Sequence, residues 1–246
     1  MRVPTRLPSE RMASSASATS YDRLAGAEPV FAALIRRYGR PDPFAFHDGG
    51  RTAGSLFAAL LLHIVGQQIS ALVSFVIYDR VVELTEGPPT PAALLALGPG
   101  KLRSCGLSDP KARYAITLSR MQIDGLIDVE AMSGLDDEEA IAALSRVPGI
   151  GRWTAQTFLI HQLHRPDVLP AGDSGIRRAI RTCWPLDSLP TTARVEAMGE
   201  RWAPDRSYAA ALLWRSLYPP GEPSDPKERA LLKLEAQRGA TREPPR

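Results

Sequence analysis

Five residues, Val147-Pro148-Gly149-Ile150-Gly151, constrain this chain more than any other stretch. One helical pattern runs into them from Asp136 and another runs out from about Arg152, so the chain must turn within that segment. Proline stops the first helix, because its ring clashes with the preceding turn and its nitrogen has no hydrogen to give. Gly149 and Gly151 permit a tight turn and leave backbone N–H groups unshielded. The second helix then opens with free amides and the positive end of its dipole. Such an end holds a phosphate and reads no base sequence. On a helical wheel Ala155, Phe158, Leu159 and Leu163 share the predicted inward face, and Trp153, Thr157 and Ile160 fall on the other side. Trp153, off that face and beside the turn, can stack on a planar group or pack against another helix.

The remaining pattern is also helical. Apolar residues recur at three- and four-residue spacing, with breaks near Gly87–Pro91, Gly98–Gly100, Ser108–Pro110 and Ser133–Asp137. No run alternates as a strand would, and no internal repeat is present. The pattern predicts an all-α chain of about eight to ten helices. Residues 1–22, rich in Ser, Ala, Arg and Pro, read as a disordered tail, and 221–246 as a polar tail holding a short helix near Lys227 to Arg238. That leaves 23–220 as the domain.

No charge falls between Arg51 and Asp79, a length that would suit a membrane span. Yet His63, Gln67, Gln68 and Ser70 sit near its middle, where lipid would penalise them. The run therefore reads as buried helix interrupted by polar residues that face a cleft, and no membrane association is expected. Two cysteines, Cys105 and Cys183, cannot build a disulfide framework, a four-cysteine zinc site or an iron–sulfur cluster, and they fit a cytoplasmic setting. Net charge is only +3, but Ile141 to Arg181 holds six arginines against two acids. That local excess is a phosphate-binding surface or an ordinary solvated face.

VPGIGRWTA resembles the helix-hairpin-helix signature of the DNA glycosylase superfamily, LPGIGRxTA. The likeness continues downstream, where Leu169-Pro170-Ala171-Gly172-Asp173 is similar to the segment that supplies that family's essential carboxylate. Asp173 stands 22 residues beyond Gly151, the family's usual separation. The resemblance implies that Asp173 is catalytic. The chemistry agrees: breaking an N-glycosidic bond builds positive charge on the sugar, which an ionised carboxylate beside C1′ stabilises while orienting water. An alkylated purine already carries positive charge and leaves readily, so one carboxylate suffices where ordinary glycosidases use two. Asp173 also precedes a helix with an inward stripe of Ile176, Ala179, Ile180 and Cys183, so N-capping is the alternative reading, and the two roles are compatible.

Upstream, Ile64-Val65-Gly66-Gln67-Gln68-Ile69-Ser70 resembles the family's glycine-glutamine segment at the DNA cleft. This implies Gln68 as the wedge that fills the gap left by a flipped nucleotide, with a polar turn cap as the alternative. Downstream, Arg201 to Ala209 and Leu213-Trp214 look like the family's closing segment and read as mostly structural. The resemblance runs from about Phe57 to Pro219 and is nearest to the 3-methyladenine DNA glycosylase II group.

It implies a two-lobed helical fold with a DNA cleft between the lobes. It further implies hairpin contacts to DNA through Val147, Gly149, Ile150, Gly151, Arg152 and Thr154, and a base pocket including Trp153, Thr157 and Gln67. No cofactor is required, although hairpin backbone carbonyls are candidates for a monovalent cation. Double-stranded DNA with damaged bases is the expected partner, and a monomer the expected state. Two departures bear on substrate range. The chain leaves no room for the β-rich N-terminal domain of some members, and Thr157 stands where some have an aromatic residue. Lyase relatives carry a lysine at the position of Trp153. This chain has only Lys101, Lys111, Lys227 and Lys233, so hydrolysis by water is expected rather than a Schiff base. The alternatives are a DNA-binding protein that keeps only the hairpin, or a glycosylase for a different damaged base.

Overall fold

The computed structural model describes residues 8–240, and all regular structure among them is helical. In chain order the α-helices are α1 (Pro8–Ala27), α2 (Pro29–Tyr38), α3 (Leu56–Gly66), α4 (Ala71–Leu84), α5 (Pro91–Ser104), α6 (Asp109–Ile123), α7 (Asp137–Ser145), α8 (Arg152–His161), α9 (Ser174–Cys183), α10 (Thr192–Gly199), α11 (Arg206–Arg215) and α12 (Pro226–Ala240). Two 3-10 turns, Glu130–Gly134 and Glu200–Trp202, complete the set. The expected eight to ten helices become twelve: α1 occupies a stretch that reads as a tail, and α12 is the short helix expected near Lys227 to Arg238. The N-terminal boundary at residue 22 falls inside α1, where buried Tyr21 and Leu24 belong to a core. Residues 1–7 and 241–246, the outer parts of the expected tails, lie outside the described residues. No helix among the described residues is long and apolar enough to cross a membrane.

The chain divides into two compact units. Among the described residues, the first combines 8–45 with 165–222 and holds α1, α2, α9, α10 and α11. Its core gathers Phe31 and Leu34 from α2, Ile176, Ala179 and Ile180 from α9, Leu212 and Leu213 from α11, and Trp202. The α9 stripe therefore faces inward as its spacing predicts. Glu28 is buried, yet its carboxylate accepts from the indoles of Trp184 (2.8 Å) and Trp202 (2.9 Å) and pairs with Arg201 at 3.0 Å. A buried carboxylate left without such donors would cost several kcal/mol, on the order of 3–5.

The second unit combines residues 46–164 with 223–240. The uncharged run forms its centre as two helices, α3 and α4, rather than one span. Eight of the eleven α3 residues are buried, as befits a helix apolar on nearly every side. Ser70 caps α4 by accepting from the Val73 N–H at 3.3 Å. The break expected near Gly98 is a kink inside α5, with Gly98 at φ 71°. Asp136 and Glu139 form a reciprocal capping box that starts α7. Helix α7 packs on α8, and α3 packs on both α6 and α8.

Helix α12 docks on α4, with the Lys227 ammonium 4.0 Å above the Phe46 ring. Burial pushes the Lys227 amine down from 10.5 to about 8, against the opposing pull of Asp225 and Asp48. Between pH 8 and 10.5 the unfolded chain holds this proton and the folded chain does not, so stability rises with pH across that window. Lys227→Met should therefore stabilise the protein at pH 7, and the gain should vanish as pH approaches 10. Denaturant unfolding of both proteins at a series of pH values checks this; a gain that persists unchanged at pH 10 contradicts it.

Candidate DNA interface and catalytic carboxylate

The hairpin lies between α7 and α8 in the second unit. Ile150 N–H donates to Val147 O at 3.0 Å, which closes the turn, and Gly151 is the N-cap of α8. Of the two glycines only Gly149 has a left-handed backbone, at φ 87°, while Gly151 is extended at φ −88°. A Cβ on Gly149 would stand 2.2 Å from the Tyr114 ring, whereas one on Gly151 would meet open space. Glycine is thus required at 149 by both backbone and neighbour, whereas neither requires it at 151.

Val147, Ile150 and Thr154 have buried side chains. Arg152 is exposed and holds Glu138 at 2.7 and 2.9 Å. Trp153 is 46% exposed, off the core as the wheel predicts. The same wheel is corrected at Thr157 and Ile160. Both are buried, because α7 and α3 cover α8 from two sides, and Leu163 lies half-buried beyond the helix end. The Thr157 hydroxyl donates to Thr154 O at 3.0 Å.

The glutamine turn is in the same unit. Gln67 is the C-cap of α3, and its side-chain amide donates to the Gly149 carbonyl at 2.8 Å. Gln68 is exposed and has a left-handed backbone, φ 57°, unusual outside glycine. Among the hairpin backbone carbonyls, Val147 O accepts from the Ile150 N–H and Gly149 O from the Gln67 amide.

Asp173 belongs to the first unit, at the N-cap of α9. Its Oδ1 accepts from the Ile176 N–H at 2.8 Å and from the Trp214 indole at 3.1 Å. The bond that caps the helix and the bond from Trp214 together fix the carboxylate. Gly175 makes this possible: a Cβ there would lie 2.9 Å from Asp173 Oδ1 and 3.1 Å from Leu217. Trp214, read as structural from sequence, is thus a partner of the carboxylate. Trp202, from the same closing segment, is buried core as read.

Comparison with known proteins follows the same lines. Residues 62–205 match the family described as HhH-GPD superfamily base excision DNA repair protein. DNA-3-methyladenine glycosylase 1 of Schizosaccharomyces pombe is 32% identical over 163 residues, spanning 65% of this chain and 72% of that protein. YfjP of Bacillus subtilis, whose name marks it as a candidate DNA-3-methyladenine glycosylase, is 32% identical over 170 residues. That match covers 66% of this chain and 59% of the relative. Among solved structures, Schizosaccharomyces pombe 3-methyladenine DNA glycosylase (Mag1) in complex with abasic DNA superposes with a TM-score of 0.68 at 28% identity. It covers 80% of this chain and 96% of that one.

Proposed function

The chain belongs to the HhH-GPD superfamily of base excision DNA repair proteins, and on that premise we propose that it is a monofunctional DNA glycosylase for alkylated purines of the 3-methyladenine type. The observation that carries this reading is the carboxylate of Asp173, fixed at the start of α9 by the Ile176 amide and the Trp214 indole. The C1′–N bond breaks with its electron pair leaving on the base. Asp173 stabilises the cationic sugar, and water adds to C1′ and gives up a proton, leaving an abasic site. The hairpin amides and the Gly149 and Gly151 backbone hold DNA phosphates without regard to sequence. Gln68 fills the gap in the stack, and Trp153, half-exposed beside the hairpin, stacks on the extruded base, with Thr157 behind it. A second lone pair on each hairpin carbonyl leaves room for a monovalent cation, and no step of the reaction runs through it. The substrate is damaged double-stranded DNA in the cytoplasm, and the protein acts as a monomer.

Incubating the protein with methylated duplex DNA tests this reading. Free methylated purine should appear while the strand stays intact until alkali or an abasic-site nuclease cleaves it. Borohydride should trap no covalent adduct, because water and not an amine attacks the sugar. An efficient adduct would replace hydrolysis with lyase chemistry. DNA binding with no base release would leave a non-catalytic hairpin protein.

A further inference from the structure

Helix α6 reaches both turns assigned to DNA. Its Lys111 ammonium donates to Val65 O at 2.8 Å and to Gln67 O at 2.6 Å. These carbonyls end α3, where backbone acceptors lack partners within the helix and the dipole favours a cation. Three residues on, at helical spacing, Tyr114 lays its ring against Gly149 of the hairpin. Gln67 closes the loop by donating to Gly149 O at 2.8 Å. The first residue after these anchors, ahead of Ile69 and the α4 cap Ser70, is Gln68, held left-handed at φ 57°. That conformation costs a residue with a Cβ roughly 1–2 kcal/mol, so its neighbours must enforce it. Lys111 is partly desolvated, and burial lowers its amine below the ordinary value.

We propose that Lys111 is a positioning residue for base extrusion, which braces the Gln67–Gln68 turn against the hairpin so that gap filling and phosphate binding occur at one fixed spacing. The proposal rests on the reading of Gln68 as the wedge. Without the brace the turn can relax toward ordinary backbone angles, and the wedge must be re-ordered each time DNA binds. That ordering cost falls on duplex DNA, where a gap has to be filled, and not on single strands.

Single-turnover base release is measured from methylated duplex and methylated single-stranded oligonucleotides, for wild type, Lys111→Met, Lys111→Arg, Gln68→Ala and the Lys111→Met/Gln68→Ala double variant. Lys111→Met should slow the duplex reaction about tenfold, equivalent to about 1.4 kcal/mol in the barrier, and the single-strand reaction less than about twofold. Lys111→Arg, which can still donate to two carbonyls, should restore most of the duplex rate. In the Gln68→Ala background Lys111→Met should not change the duplex-to-single-strand ratio further. If Lys111→Met does not fold, Lys111→Gln takes its place, keeping one donor pair on a shorter stem.

Equal slowing of both substrates by Lys111→Met would make Lys111 a structural residue and overturn the proposal. So would a duplex-specific loss that multiplies with that of Gln68→Ala. The wedge reading fails separately: Gln68→Ala would then leave the ratio at its wild-type value, taking the positioning role with it. A duplex-specific loss in Gln68→Ala without one in Lys111→Met removes only the positioning role.

Discussion

Asp173→Asn should lower single-turnover base release by at least about 10²–10³-fold, the range found when a preorganised electrostatic group is removed from a transition state. The fold should survive, because asparagine caps helices about as well as aspartate. Its side-chain oxygen can take over the Ile176 and Trp214 donors that Asp173 Oδ1 now accepts. What the amide cannot do is neutralise a cationic sugar. Affinity for undamaged DNA should therefore stay within about twofold, and circular dichroism and melting temperature should barely move. Loss should appear equally on duplex and single-stranded substrates, unlike a wedge variant. Base release near the wild-type rate would remove Asp173 from the mechanism and leave it as a cap.

The second large effect is expected at Gly149. Alanine there must adopt a left-handed backbone and push its Cβ into the Tyr114 ring, which stands 2.2 Å away. Backbone strain and overpacking together cost about 2–5 kcal/mol. The hairpin should deform, and affinity should fall by about tenfold or more on damaged and undamaged DNA alike, since phosphate contacts carry no base information. Removing the ring with Tyr114→Ala should recover the steric share of the stability loss and leave the backbone share. Gly151→Ala is the control: with φ −88° and open space around it, the fold should hold, so any loss of binding reports the approach of DNA itself. Melting curves and fluorescence anisotropy on the two kinds of DNA separate these contributions. A loss confined to damaged DNA would place the hairpin in the base pocket instead.

The features legible in the sequence were local ones. A proline and two glycines between helical patterns fix the turn, and a carboxylate before an amphipathic stripe fixes both a cap and a candidate catalyst. The brace was not legible, because Lys111 meets carbonyls 44 and 46 residues away and no pattern along the chain marks a lysine with such partners. Trp214 was read as structural for a related reason: its bond to Asp173 spans 41 residues. The two hairpin glycines look equivalent as letters, yet only the neighbour Tyr114 and the sign of φ tell them apart. The N-terminal stretch misled because SSASATS is low in complexity but compatible with helix, and the core that orders Tyr21 and Leu24 comes from residues far downstream.

That last arrangement sets a timetable for synthesis. Glu28 and Trp202 are separated by 174 residues, and the whole of 46–164 is translated between the two halves of the first unit. At ribosomal speeds of about 5–20 residues per second, the apolar face of α2 and the Glu28 carboxylate wait roughly 9–35 s for their partners. The main body of the second unit has a continuous sequence and can collapse meanwhile. The N-terminal helices are thus the part of this chain most exposed to wrong partners at birth, and the part a nascent-chain chaperone would most usefully hold.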